Sequence, residues 1–150
     1  MEYKFVPLST SYIASFTQLL DIAFHIKNQY KDKLIHWKFL DAAHGNKAIT
    51  YIALWGNQVV GQYSNIPIAI SQGNKIYSSM FCVDMATHPE HRGKGLITKL
   101  AQHVYTHVQK NNFDFTIGFS NDYGVQVDKG SSNYGYQVIG KFARYFKPIF

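Results

Sequence analysis

The chain has 150 residues, 46% of them hydrophobic, with eleven Tyr and eleven Phe; that suffices for one packed domain and excludes a disordered chain. Its net charge of +6 points to an anionic partner, yet the Lys and Arg residues are scattered, without the basic run or RNP-like aromatic motif of a nucleic-acid binder. No apolar run approaches the roughly 20 residues that span a bilayer, and the opening Met1-Glu2-Tyr3-Lys4 lacks a signal-peptide pattern, so a cytoplasmic protein is expected.

Residues 4–8 read as a short opening strand, stopped by Ser9-Thr10-Ser11, which can cap a following helix. Ile13, Phe16, Leu20 and Phe24 recur at helical spacing and predict an amphipathic helix over 12–26. A shorter helix follows over 33–42, with Ile35, Phe39 and Ala42 on one side, and Gly45-Asn46 ends it. Residues 49–55 and 58–70 are rich in β-branched and aromatic side chains, and Gly56-Asn57 between them is a two-residue hairpin signal. Pro67 places the later part of the second strand at an edge or an irregularity. Gln72-Gly73-Asn74 turns the chain into a third strand, 76–87, which holds the lone Cys82 as a small hydrophobe. Ile97, Leu100, Ala101, Val104 and Val108 mark one face of a helix reaching Lys110. Strand returns over 113–119. Polar residues 121–134 allow one poor short helix, and 136–146 read as a final strand closed by Pro148. The order describes one mixed α/β domain over 1–150 rather than a βαβ repeat.

The informative stretch is residues 83–100, VDMATHPEHRGKGLITKL. A strand runs into a turn holding Gly93 and Gly95, and a helix starts at once. A helix N-terminus offers unpaired N–H groups and the positive end of its dipole. Glycines let that backbone approach a phosphate, and Arg92 and Lys94 add charge. These features alone fit an anion site and a plain strand-to-helix turn equally well. Pro89-x-x-Arg92-x-x-Gly95 at this junction resembles the acetyl-CoA motif of the GNAT superfamily, R/Q-x-x-G-x-G/A. The element order is similar to that family's across nearly the whole chain. Gly118-Phe119-Ser120-Asn121 followed by Gly135-Tyr136 gives a weaker second match.

The resemblance implies a mostly antiparallel sheet flanked by helices and an acyl-CoA-dependent N-acyltransferase, with acetyl-CoA as cosubstrate, an amine as acceptor and no metal. It implies that the backbone of Met85, Ala86 and Thr87 pairs with the pantetheine arm. Main-chain N–H groups of Arg92, Gly93, Lys94, Gly95, Leu96 and Ile97 would cradle the pyrophosphate, and Asn121 would sit near the pantetheine. The stretch from Lys27 to Lys38, with Tyr30, His36 and Trp37, is the best nucleic-acid-like patch; in the family that region borders the acceptor site, and a solvated helix face is favoured over both readings. Two positions depart from the pattern: Ile97 stands where the motif ends in G/A, and Ser131 replaces the tyrosine that often protonates the thiolate.

Acyl transfer to an amine needs an unprotonated nucleophile and a proton for the leaving thiolate. Asp84 and His88 are the titratable groups nearest the pantetheine strand and the candidate bases. Asp84 also reads as a carboxylate bonded to backbone at a strand end, where a bulge would hide its direction, and His88 as a solvated turn residue. Tyr134 and Tyr123 are candidate acids. The histidine pairs His88/His91 and His103/His107 lack a cysteine pair or carboxylate to complete a metal site and read as exposed. Trp37 and Trp55 read as core anchors. Two other classes stay open: a catalytically silent CoA-binding module, suggested by Ser131, and, ranked far behind, a basic nucleic-acid-binding domain. GNAT domains end in two strands after the asparagine-bearing helix, whereas one candidate remains here. The closing strand is thus expected to be missing, and a second subunit, a displaced last strand or a further C-terminal segment would cover the open edge.

Overall fold

The computed structural model describes residues 2–26, 32–41, 47–119 and 137–140. The chain divides into two units, Met1–Gly118 and Phe119–Phe150. Of the second, Phe119 and residues 137–140 are described; they are exposed and without regular secondary structure. The strand expected over 136–146 is therefore not present at 137–140, and its other residues lie outside the described ones.

The first unit is a five-stranded sheet in the order β1-β2-β3-β4-β5. β1 (Tyr3–Pro7), β2 (Ile49–Trp55), β3 (Gln58–Gln72) and β4 (Lys75–Thr87) pair antiparallel in sequence, and β5 (Phe115–Gly118) lies parallel to β4. This is the mixed α/β, mostly antiparallel architecture that the segment order predicts. Both hairpins are two-residue loops at the expected places, with Gly56 at φ 62° and Gly73 at φ 58° supplying the left-handed backbone. β2 stops at Ile49 opposite Asn65, so among the described residues the rest of β3 pairs only with β4. Pro67 falls in that one-sided stretch, opposite Met80, where its missing N–H leaves no gap in a ladder.

Helix α1 (Ile13–Phe24) packs on β3 and β4, and its Ile13, Phe16, Leu19 and Leu20 are buried. The short α2 (Asp32–Ile35) runs into a π-helical turn, His36–Leu40, whose wide bond joins Asp41 N–H to His36 O at 2.9 Å. Ile35 and Phe39 close this core against Phe16, with the Phe16 and Phe39 rings edge to face. Trp37 is the exception to the expected pattern. It is 51% exposed, because the widened turn gives the inward positions to Ile35 and Phe39. Trp55 instead packs against Tyr3 and His91.

Helix α3 (Leu96–Lys110) covers the opposite face, burying Leu96, Leu100, Ala101, Val104 and Val108. Gly61 lets it come close: a Cβ there would lie 3.3 Å from Leu100 Cδ1. Tyr63 of β3 and Tyr105 of α3 join hydroxyls at 2.5 Å.

The β2–β3 ladder slips by one residue between Ala53 and Leu54. The irregularity frees the N–H of buried Val59, which donates to Ser15 Oγ of α1 at 2.8 Å. Ser15→Ala would leave that donor without its partner. The expected loss is about 1–2 kcal/mol of unfolding free energy, read as a lower denaturant midpoint with an unchanged slope.

Candidate functional site

A second slip, in β4, shapes the site. Gln62 pairs with Ala86 but Ser64 with Val83, so two residues of β4, Asp84 and Met85, face Tyr63 alone. Asp84 takes φ 49°, a left-handed conformation that aspartate adopts more readily than most side chains. The bulge turns its carboxylate toward the α2 side, where Lys38 Nζ of the π-helical turn pairs with Asp84 Oδ2. Both side chains are about one-fifth exposed, at 23% and 20%.

The parallel β4–β5 pairing ends at Cys82 opposite Gly118. Beyond that point the β5-side edge of residues 83–87 meets no strand among the described residues. Met85 and Thr87 are half-buried there and Ala86 is buried. Cys82 itself is half-buried.

The turn after β4 is held by several local bonds. His88 N–H donates to Val60 O at 2.9 Å, and His88 Nδ1 accepts Glu90 N–H at 3.3 Å, so the histidine caps a 3-10 turn, Pro89–His91. Arg92 Nε donates to Thr87 O at 3.4 Å and Lys94 Nζ to Glu90 O at 3.2 Å. Gly93 and Gly95 follow with φ 73° and 70°, and a Cβ at either would meet no atom within 4 Å. Glycine is needed here for its backbone conformation, and the space in front of it is open. Gly95 is the N-cap of α3 and so brings no capping side chain, and the first turn holds no acidic residue. A 15-residue helix thus presents the positive end of its dipole to open space between two exposed cations, Arg92 and Lys94. Leu96 is buried and Ile97 is half-buried.

These features fit a phosphorylated cosubstrate with an amide-bearing arm. Positive-φ glycines and a glycine-capped helix suit the pyrophosphate, and an open strand edge suits the arm. The described site thus gathers Asp84, Met85, Ala86, Thr87, His88 and the segment from Arg92 to Ile97 on one strand-turn-helix unit. Asn121, Tyr123, Ser131 and Tyr134 lie outside the described residues.

Lys38 escaped the sequence reading. It stands 46 residues from Asp84, in a basic stretch that suggested a solvated face, an acceptor border or a nucleic-acid-like patch. His91 was also read as exposed. It is half-buried beside Tyr3, whose Oη lies 2.8 Å from His91 Nδ1. Burial first, then the Lys94 and His88 charges, hold its pKa below the ordinary 6.5. The bond to Tyr3 suits a neutral ring whose bare Nδ1 accepts the phenol proton. Below pH 6.5 the unfolded chain then takes up more protons here than the folded one, so stability should fall as pH drops through that value. His91→Gln should flatten this slope between pH 7.5 and 5.5, as read by urea unfolding at each pH.

His103 is exposed but lies stacked against both Phe5 and Tyr51, with centroids 5.7 and 5.3 Å away. No group of three or more His, Cys, Asp or Glu among the described residues is placed to hold a metal ion. No described helix is long and apolar enough to cross a membrane.

The acetyltransferase (GNAT) domain family matches residues 4–139 of the chain. Among solved structures, an acetyltransferase of Trypanosoma brucei is 15% identical with a TM-score of 0.76, over 97% of this chain and 100% of that one. Glucosamine-6-phosphate N-acetyltransferase of Arabidopsis thaliana is 12% identical at 0.74, over 98% and 100%. A protein of Clostridium acetobutylicum, described as a predicted acetyltransferase and solved with acetyl-CoA, is 20% identical at 0.72, over 97% and 96%. At these identities the likeness is one of fold. No curated protein matches the sequence.

Proposed function

The chain belongs to the GNAT acetyltransferase family, and from that premise we propose that it transfers an acetyl group from acetyl-CoA to a primary amine by direct attack on the thioester. One observation carries the reading: two positive-φ glycines, with no described atom within 4 Å of their Cβ positions, lead into the glycine-capped N-terminus of α3, beside the stretch of β4 whose edge meets no strand among the described residues. Backbone N–H groups from Arg92 to Ile97 would hold the pyrophosphate, with Arg92 and Lys94 adding charge. Met85, Ala86 and Thr87 would receive the pantetheine amides along the β4 edge. Asn121 near the pantetheine and Tyr134 as proton donor belong to the same proposal. Acetyl-CoA supplies an activated acetyl group on a thiol of pKa about 8.5, which leaves readily as thiolate.

The amine must lose its proton near Asp84, the one carboxylate on the β4 bulge. Asp84 ranks ahead of His88 as base because His88 Nδ1 already accepts the Glu90 N–H. A silent CoA-binding module is the second reading, favoured by the capture of Asp84 by Lys38. A panel of small primary amines incubated with protein and acetyl-CoA separates the two by thiol release. Protein-dependent release with at least one amine is expected. Calorimetric binding of acetyl-CoA without release from any amine would favour the silent module.

A further inference from the structure

Lys38 is placed as no other described lysine is. Lys4, Lys33, Lys47, Lys75, Lys94, Lys99 and Lys110 are all exposed, whereas Lys38 is half-buried. Its ion pair with Asp84 is the one lysine–carboxylate pair among the described residues. The π-helical turn carries it there, and the β4 bulge turns Asp84 to meet it. An amine therefore already stands at the carboxylate that an acceptor amine has to reach, on the strand proposed to carry the acyl donor. We propose that Lys38 is itself an acetyl acceptor, so that the protein acetylates its own Nζ within one molecule.

This rests on the acetyl-CoA reading above. Lys38 first gives one proton to solvent, leaving a neutral amine. Nζ then forms a C–N bond to the thioester carbonyl carbon and the C–S bond breaks. The second amine proton passes through Asp84 to the departing thiolate, so the products are acetyl-Lys38 and free CoA thiol. Intramolecular placement replaces a bimolecular encounter and favours this amine over those in solution. The modification removes the Lys38 charge, ends its ion pair, and leaves Asp84 to an external amine.

The ordering of sites makes the proposal testable, because unassisted chemical acetylation favours exposed lysines and directed transfer favours this buried one. The protein is incubated with acetyl-CoA, and acetylation is followed by intact mass and peptide mapping. Lys38 is expected to react first, at least about tenfold faster than any exposed lysine, with a fractional rate that does not change when the protein is diluted. Asp84→Asn should slow this step while calorimetry shows unchanged acetyl-CoA affinity. In the absence of acetyl-CoA, reductive methylation should label Lys38 more slowly than the exposed lysines, and faster in Asp84→Asn, where the pairing charge is gone.

Bound acetyl-CoA without Lys38 modification would overturn this proposal and leave the acetyl-CoA reading intact. Equal labelling of Lys4, Lys75 and Lys110, or a rate that rises with protein concentration, would also overturn it. A protein that binds no acetyl-CoA would overturn both.

Discussion

Replacing Gly95 by valine is expected to raise the dissociation constant for acetyl-CoA at least about 30-fold, or about 2 kcal/mol. Two effects combine. Gly95 sits at φ 70°, a region that a β-branched residue occupies only under strain. The new side chain would also project into the space before α3, where no atom of the described residues lies within 4 Å of the Cβ position. That openness favours folding of the variant, since the added Cβ meets no atom of the described residues within 4 Å. Strain alone should lower stability by about 1–2 kcal/mol, and circular dichroism would verify that the domain persists. Arg92→Ala is the comparison. Its guanidinium is exposed and bonded back to Thr87 O at 3.4 Å, so its loss should weaken binding less than the glycine change. Unchanged affinity in a folded Gly95→Val protein would remove the turn from the binding site.

Asp84→Asn should reduce kcat about 100-fold or more if the carboxylate takes the acceptor's proton, while acetyl-CoA affinity stays within about twofold. Asparagine is the informative replacement because it tolerates the left-handed φ of 49° that the bulge requires. Alanine there would add backbone strain to any chemical effect. The wild-type dependence of kcat/KM on pH should lose its acidic limb in the variant. A variant with full turnover and an unchanged pH profile would return Asp84 to a structural role as the partner of Lys38.

Much of the fold was legible because it is written in local chemistry. The Gly56-Asn57 and Gly73-Asn74 turns, the one-sided stretch around Pro67 and the apolar stripe from Leu96 to Val108 each follow from neighbours in sequence. The glycine turn was legible for the same reason, since Gly93 and Gly95 must supply positive φ between β4 and α3. What escaped depends on long-range contacts. A bulge at Asp84 was weighed, but the direction it gives the carboxylate arises from a register change against β3 that no residue type marks. The Lys38 pairing follows from that bulge together with a π-helical turn, neither of which leaves a pattern of period 2 or 3.6. Trp37 was misread because size suggested a core anchor, while the widened turn gave the interior to Ile35 and Phe39. His88, a candidate base that also read as a solvated turn residue, caps its turn through the Glu90 N–H two residues on, a local bond that its residue type alone does not announce.

On the function proposed, the backbone of this strand-turn-helix unit holds acetyl-CoA. Titration of isotope-labelled protein with acetyl-CoA, followed by amide chemical shifts, tests it most directly. Saturable shifts are expected, largest for the amides from Arg92 to Ile97 and for Met85, Ala86 and Thr87. Saturable shifts confined to another surface, such as the groove lined by Tyr51, His103 and His107, or no shifts at all, would contradict it.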